Sequence, residues 1–357
     1  MEKIDRRTFL QLTAAATAGF GFAPFKANSL PASKAKMGIV VHSYAFRWNS
    51  KIQSTKYPSF TTAIDLLNHA AELGAGGIQV MVDGWDVDFA KKVRDRREKL
   101  GLYLEGSIGM PNTKEEVAGF QQKVINAKEA GATVLRTVTS SGRRYEAYHS
   151  NEEVEEFKRK ALDSLRWVAP ILEVHNVKLA VENHKDWTAS ELASAMKMIS
   201  SEHIGVTLDF GNSIALMEQP MDVVNKLVPY VLSTHVKDMA VEEYDDGFLL
   251  SEVPLGKGFI DLKKIFELCK KQNPNVQFNL EMITRDPLQI PSNTNEYWAS
   301  VPLQMDGMID KNLIKEYQKK QLVKPPRVSQ LDDEGKLAIE EKNIIECIDY
   351  SKKTLGK

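Results

Sequence analysis

Four residues able to ligate a metal close four strand-like runs: Glu182 in VEN, Asp209 in LDF, His235 in STHVKD and Glu281 in NLEM. Stretches that read as helix separate these runs. One neutral imidazole and three carboxylates can hold a divalent cation and leave coordination positions open to substrate oxygens. That suits Lewis-acid chemistry on a polyol better than a closed structural zinc site, which would prefer cysteines. Any one acidic residue at a strand end is weak evidence. Four metal-competent residues at successive strand ends are hard to explain as barrel filling, because buried charges are costly unless paired or coordinated.

The elements that must position them alternate two periods. Strand-like runs fall at 37–42, 77–82, 103–108, 133–139, 178–184, 204–210, 231–237 and 277–282. Amphipathic stretches such as 59–73, 114–130, 151–174 and 260–272 repeat their apolar residues at helical spacing, as a helix covering a sheet requires. Gly74, Gly101 and Gly131 each follow a helical pattern and precede a strand, the place of a helix-ending glycine. Eight strands with intervening helices predict a (β/α)8 TIM barrel. The alternative, a doubly wound sheet, needs a glycine-rich turn after a strand. Gly74-Ala75-Gly76-Gly77 precedes one. In a barrel, Glu182, Asp209, His235 and Glu281 would come from strands 5 to 8 and converge on one mouth. After Glu281 the pattern becomes irregular and then ends in an amphipathic stretch near 336–354. This C-terminal extension is expected over the active-site face, with 284–303 covering the site.

The chain has 357 residues, 43% of them apolar, and a formal net charge of −1. No strong field attracts polyanions, so nucleic acid is disfavoured as the main partner. Cys269 and Cys347 make neither a disulfide framework nor a zinc knuckle and read as buried small hydrophobes. The first 35 residues read as a signal peptide and linker, and 36–357 as the barrel with its extension. Asp5-Arg6-Arg7-Thr8-Phe9-Leu10 precedes a weakly apolar, Ala/Gly-rich run to about Phe25. Paired arginines before such a run resemble a twin-arginine export signal, which implies a periplasmic protein. The run is a poor transmembrane helix, so no stable membrane insertion is expected once it is removed. The sequence leaves homo-oligomerisation open.

The runs VENH, LDFGN, THVKD, PLGKG at 254–258 and LEM resemble the xylose isomerase-like barrel superfamily, in its sugar phosphate isomerase/epimerase branch. The resemblance spans roughly 37–300. It implies that Glu182, Asp209, His235 and Glu281 hold one Mn2+, Mg2+, Co2+ or Zn2+ ion. It also implies that Glu182 and Glu281 move protons on a small carbohydrate. The function so implied is a metal-dependent isomerase or epimerase working through an enediolate on a keto-sugar or sugar derivative. The alternative is a lyase, either a decarboxylase or a dehydratase, acting on a keto-sugar or keto-sugar acid. The ketose 3-epimerases carry a histidine three residues after the Asp ligand and an arginine six after the His ligand. Here those residues are Asn212 and Val241. These departures argue against simple 3-epimerisation of a free ketose and leave the metal and the proton-transfer pair in place. An endonuclease IV-like enzyme would need further histidines for three zincs, and the chain has only seven histidines.

Several other residues are candidates for substrate binding. His184 and Lys237 each follow a ligand by two and point to the same side of the strand. Glu105 and Arg136 are inward candidates on strands 3 and 4, and a guanidinium at 136 would match a carboxylate. His42 ends strand 1. Arg143 and Arg144 lie in the loop after strand 4. Arg285 is near Glu281, and Tyr297 with Trp298 could form an apolar wall against a sugar face. In a decarboxylase, Arg136, Lys237 or Arg285 would hold the carboxylate.

Overall fold

Strands β1 (Gly38–Val40), β2 (Gly77–Met81), β3 (Tyr103–Ser107), β4 (Val134–Thr137), β5 (Lys178–Glu182), β6 (Ile204–Asp209) and β7 (Val231–Val236) each lie inside a run anticipated from sequence. Two unanticipated strands follow, β8 (Asp238–Tyr244) and β9 (Gly247–Val253), then β10 (Phe278–Leu280) and β11 (Leu288–Ile290). The computed structural model describes residues 36–140, 142–302 and 308–354. The signal-peptide assignment therefore lies outside the described residues.

Eight strands close a parallel barrel in the order β1-β10-β7-β6-β5-β4-β3-β2. Their sequences suit this place. Leu179, Ala180 and Val181 of β5 are buried on both faces, the pattern of a strand between a barrel interior and a helical layer. The helices are bounded by local chemistry. Thr62 and Asp65 form a capping box at the start of helix Ala63–Leu73, and Gly74 ends it at φ 73°. Asp86 caps helix Val87–Leu100, and Gly101 ends it at φ 67°. Both glycines stand where the sequence placed a helix stop.

The register sets the site. Asp209 of β6 sits opposite His235 of β7, and Glu281 extends β10 with its N–H donating to Val236 O at 3.1 Å. Between β7 and β10 the chain leaves the barrel as the antiparallel pair β8–β9, to which β11 adds a third strand. The PLGKG loop anchors this hairpin. Asp238 accepts the N–H groups of Gly256 and Gly258, each at 2.9 Å, and a Cβ at Gly258 would lie 2.1 Å from an Asp238 oxygen. The C-terminal helix Asp333–Thr354 braces the same end of the barrel. Glu340 accepts the Phe46 N–H at 2.7 Å, Glu341 pairs with Arg47 at 2.9 Å, and Asn343 donates to Thr284 at 3.1 Å. Among the described residues no helix is long and apolar enough to cross a membrane.

Candidate metal centre

Glu182 and Asp209 close β5 and β6, His235 is next to last in β7, and Glu281 follows β10 directly. Each is buried, and one ligand atom from each lies within 4.8 Å of the others. His235 Nδ1 is 3.4 Å from Glu182 Oε2, 3.4 Å from Glu281 Oε2 and 3.8 Å from Asp209 Oδ2. None of these approaches has hydrogen-bond geometry, so Nδ1 is a buried polar atom without a partner. Asp209 Oδ2 is in the same state; Lys237 Nζ lies 3.0 Å away but off the direction a hydrogen bond needs. Buried polar atoms left this way are rare and call for an explanation such as an ion.

The tautomer of His235 supports a cation. The Gln79 amide nitrogen donates to Glu105 Oε2 at 3.0 Å, which turns its carbonyl oxygen toward His235 Nε2 at 2.7 Å. Nε2 must then carry the hydrogen, leaving the Nδ1 lone pair aimed at the three carboxylates. Three carboxylate oxygens and one imidazole lone pair around a common centre fit a divalent ion that prefers oxygen and nitrogen donors.

The local charges keep the acidic ligands ready. Burial pushes Glu182 upward, but the Arg136 guanidinium and His235 hold it well below the usual carboxylate range. Burial likewise works against Glu281, and Lys237 and His235 keep it low. Asp209 is raised, because burial outweighs the attraction of Lys237. Burial disfavours a charged His235, yet Glu281 and Glu182 raise it to about 9. The carboxylates thus draw a positive charge into their midst, and a bound cation would take the place of that proton.

Above the cluster opens a cavity of about 280 Å3, lined by His42, Arg136, Gly142, Arg143, Glu146, His184, Lys185, Lys237, Glu281, Ile283 and Arg285. His42 Nδ1 is 3.0 Å from Glu281 Oε1. Arg136 clamps Glu182, its Nε donating to Oε2 at 2.6 Å and its terminal nitrogen in contact with the same oxygen. Arg285 donates to Glu252 at 2.7 Å. Burial lowers His184 to about 3, so its imidazole faces the cavity neutral, with Nδ1 unpartnered.

Residues 67–301 match the family described as xylose isomerase-like TIM barrel. The chain belongs to that family. It is 27% identical over 247 residues to 3-oxo-isoapionate decarboxylase of Pectobacterium atrosepticum, covering 67% of this chain and 83% of the relative. In structure it resembles D-psicose 3-epimerase, crystallised in the presence of D-fructose. The TM-score is 0.60 at 15% identity, covering 90% of this chain and 100% of the other. A xylose isomerase-like TIM barrel protein from Mycobacterium smegmatis in complex with magnesium superposes with a TM-score of 0.51 at 15% identity, over 81% of this chain and 98% of the other. The two structural likenesses are of fold. This xylose isomerase-like barrel thus carries a buried Glu/Asp/His cluster that could bind a metal.

Against this frame of barrel and cavity, some sequence-based site assignments need correction. Glu105 does not reach the cavity. It lies one layer deeper inside the barrel, where Gln79, Ser233 and Asn279 all donate to its Oε2. Alternation along β3 turned it inward but did not fix its depth. Trp298 donates its indole N–H to Ser292 O at 2.8 Å and lines a separate hollow with Tyr244, Phe248 and Ile314. Tyr297 is buried against Tyr145, its hydroxyl donating to Ala215 O. Arg144 is buried and tied to Glu191 and to Ser300 O. Of the expected cover at 284–303, Arg285 reaches the cavity, while β11 continues the hairpin sheet.

Three contributors escaped the sequence reading, and Asn212 entered it only as a departure from the 3-epimerase pattern. Gln79 orients His235. Asn212 donates to Glu182 Oε1 at 2.8 Å and accepts from Lys237 at 3.1 Å. Glu252 on β9 faces Lys237 and Arg285. Lys185 lines the cavity. The alternation of β8 and β9 around Asp245-Asp246-Gly247 was the missed signal for Glu252.

Proposed function

We propose that this chain is a divalent-metal-dependent lyase that decarboxylates a keto-sugar acid. The observation that carries this reading is the aim of the His235 Nδ1 lone pair and three carboxylates at one point, on the floor of a small cavity rich in cations. Arg136, Arg143, Lys185, Lys237 and Arg285 there face five carboxylates, Glu146, Glu182, Asp209, Glu252 and Glu281. A divalent ion would leave the site two charges positive, which favours a substrate that brings a carboxylate. The 3-oxo-isoapionate decarboxylase relative supports the same class of substrate. At about 280 Å3 the cavity falls just below the usual range of ligand sites, roughly 300–1,000 Å3, and suits a small polar metabolite.

A cation held by Glu182, Asp209, His235 and Glu281 supplies Lewis acidity toward a carbonyl and its neighbouring hydroxyl. Arg136 and Lys237 keep Glu182 and Glu281 ionised. Gln79 fixes the imidazole. Arg143, Lys185 and Arg285 draw in the substrate's carboxylate, and His184 offers a neutral ring nitrogen to a hydroxyl.

The second reading is an isomerase or epimerase. Glu182 and Glu281 favour it, because both converge on the same centre and could exchange protons with a carbon held there. Protein reconstituted with Mn2+ and incubated in heavy water with keto-sugars and keto-sugar acids separates the readings by NMR. Loss of one carbon as carbon dioxide is expected. Deuterium entering the substrate with its carbon count unchanged would replace this reading by the second. Arg6 and Arg7 support export by the twin-arginine route to the periplasm. A chain carrying both Arg6→Lys and Arg7→Lys is expected to stay in the cytoplasm, and its unimpaired export would refute the route.

A further inference from the structure

Lys185 follows β5 by three residues in the ENHK run. Among the described non-glycine residues with positive φ, Asn49, Asn176, Ser200 and Met217 lie between 49° and 60°, in the left-handed helical well, whereas Lys185 stands at 116°. A side-chain-bearing residue there is strained, and such strain persists where surrounding contacts impose it. The contacts are present: Arg144 N donates to Lys185 O at 2.8 Å, and Asp186 Oδ1 accepts the N–H groups of His184 at 3.2 Å and Trp187 at 2.9 Å. This turn directs Lys185 inward to the cavity wall, where it is only 4% exposed.

Its ammonium is held in an uncommon way. Nζ donates to Asn212 Oδ1, which also accepts from Lys237 Nζ, so it lies two hydrogen bonds from the nitrogen that contacts Asp209 and Glu281. Among the described residues no carboxylate lies within 4.0 Å of it. A buried cation with three donors and no anionic partner is costly unless a ligand completes it.

We infer that Lys185 is the catalytic acid that protonates the substrate carbon from which the carboxyl group departs. This deepens, and rests on, the decarboxylation reading. In that step the bond between this carbon and the carboxylate breaks and carbon dioxide leaves. The electron pair moves into the adjacent carbonyl as an enolate. A proton then passes from the Lys185 ammonium to the carbon as the carbonyl reforms, and solvent returns a proton to the neutral amine. No oxidant or reductant is needed.

The neighbouring groups are less suited. Lys237 is surrounded by three carboxylates. The guanidinium of Arg136 is engaged with Glu182 and that of Arg285 with Glu252, and arginine does not release its proton in proteins. His184 is neutral. Burial lowers Lys185 to about 8, with Lys237 and Arg285 adding to the effect and Glu252 and Asp209 opposing it. An acid of that strength is protonated at neutral pH and releases its proton readily.

The test uses the full chain loaded with Mn2+, 3-oxo-isoapionate as the probe, heavy water, and the variants Lys185→Arg and Lys185→Met. Wild type is expected to release carbon dioxide and to place one deuterium on the carbon in a single configuration. Both variants are expected to lose about 10²-fold or more in kcat. Deuterium should then appear in both configurations, because the enol is protonated by solvent. Mn2+ affinity measured by titration calorimetry should change less than threefold, which keeps misfolding apart from lost chemistry. Lys185→Arg retains the charge and the size but holds its proton too tightly. Wild-type kcat and a single configuration in Lys185→Arg would overturn the inference while the decarboxylation reading stands. The same holds if His42→Asn, and not Lys185→Arg, scrambles the deuterium. No carbon dioxide from wild type would overturn both.

Discussion

Two buried lysines share the oxygen of Asn212 and are held in opposite ways. Lys237 belongs to the floor of the site, with Glu281 at 2.6 Å, Asp209 at 3.0 Å and Glu252 at 3.6 Å. Burial works against its charge, but these carboxylates raise it far above the ordinary lysine range. Lys185 belongs to the wall, contacts no carboxylate among the described residues, and is lowered to about 8, chiefly by burial. Equal burial of one residue type thus gives a fixed counter-charge in one place and a labile proton in the other. The difference lies in the anions that each topology supplies. Lys237 at the end of β7 meets ligands from β6 and β10 and Glu252 from the hairpin, whereas the turn after β5 carries Lys185 past them.

The contrast is broken most strongly through the floor. Glu182→Gln or Glu281→Gln removes the charge of a ligand oxygen. Either is expected to lower kcat/KM by about 10²–10⁴-fold or more, with weaker Mn2+ binding by calorimetry. Full activity in either variant would exclude it from the centre.

Removing the two lysines in turn tests the comparison itself. In metal-free protein, Lys237→Met leaves buried carboxylates uncompensated and should destabilise the fold by about 3–5 kcal/mol in urea unfolding. Lys185→Met removes a buried charge with no carboxylate in contact, and at pH 7 should unfold at the same or higher urea than wild type. The pH dependence fixes the sign. Lys185 has its folded value lowered to about 8 from an ordinary 10.5, so between those values the unfolded chain binds more protons than the folded one. Wild-type stability relative to Lys185→Met should therefore rise from about pH 8 to pH 10.5, by on the order of 3 kcal/mol. A falling difference would show that Lys185 is paired after all.

A smaller effect is expected one layer below. Gln79→Leu frees the His235 ring to adopt the other tautomer and should weaken Mn2+ binding about 10–100-fold. Unchanged affinity would mean that the tautomer is set elsewhere.

The barrel was legible because its strands and helices obey different periods and because Gly74 and Gly101 mark helix ends through their backbone freedom. The cluster was legible because strand ends in a barrel share one mouth. What escaped depends on depth and on departures from the repeat. The inward alternation of β3 could not say whether Glu105 stands at the rim or beneath it. The hairpin of β8 and β9 interrupts the barrel order, so Glu252 had no place in a pattern of eight. Nothing in the letters ENHK reveals φ 116°, and with it the position of Lys185. Trp298 is near Glu281 in sequence but packs on the hairpin sheet side, facing Tyr244 and Phe248 across a different hollow.

The central claim is that one divalent ion is shared by Glu182, Asp209, His235 and Glu281. Crystals grown with Mn2+ and measured across the manganese absorption edge test it most directly. One anomalous peak bonded to those four side chains is the expected result. A map with no peak among them, or with the peak elsewhere, would contradict the account.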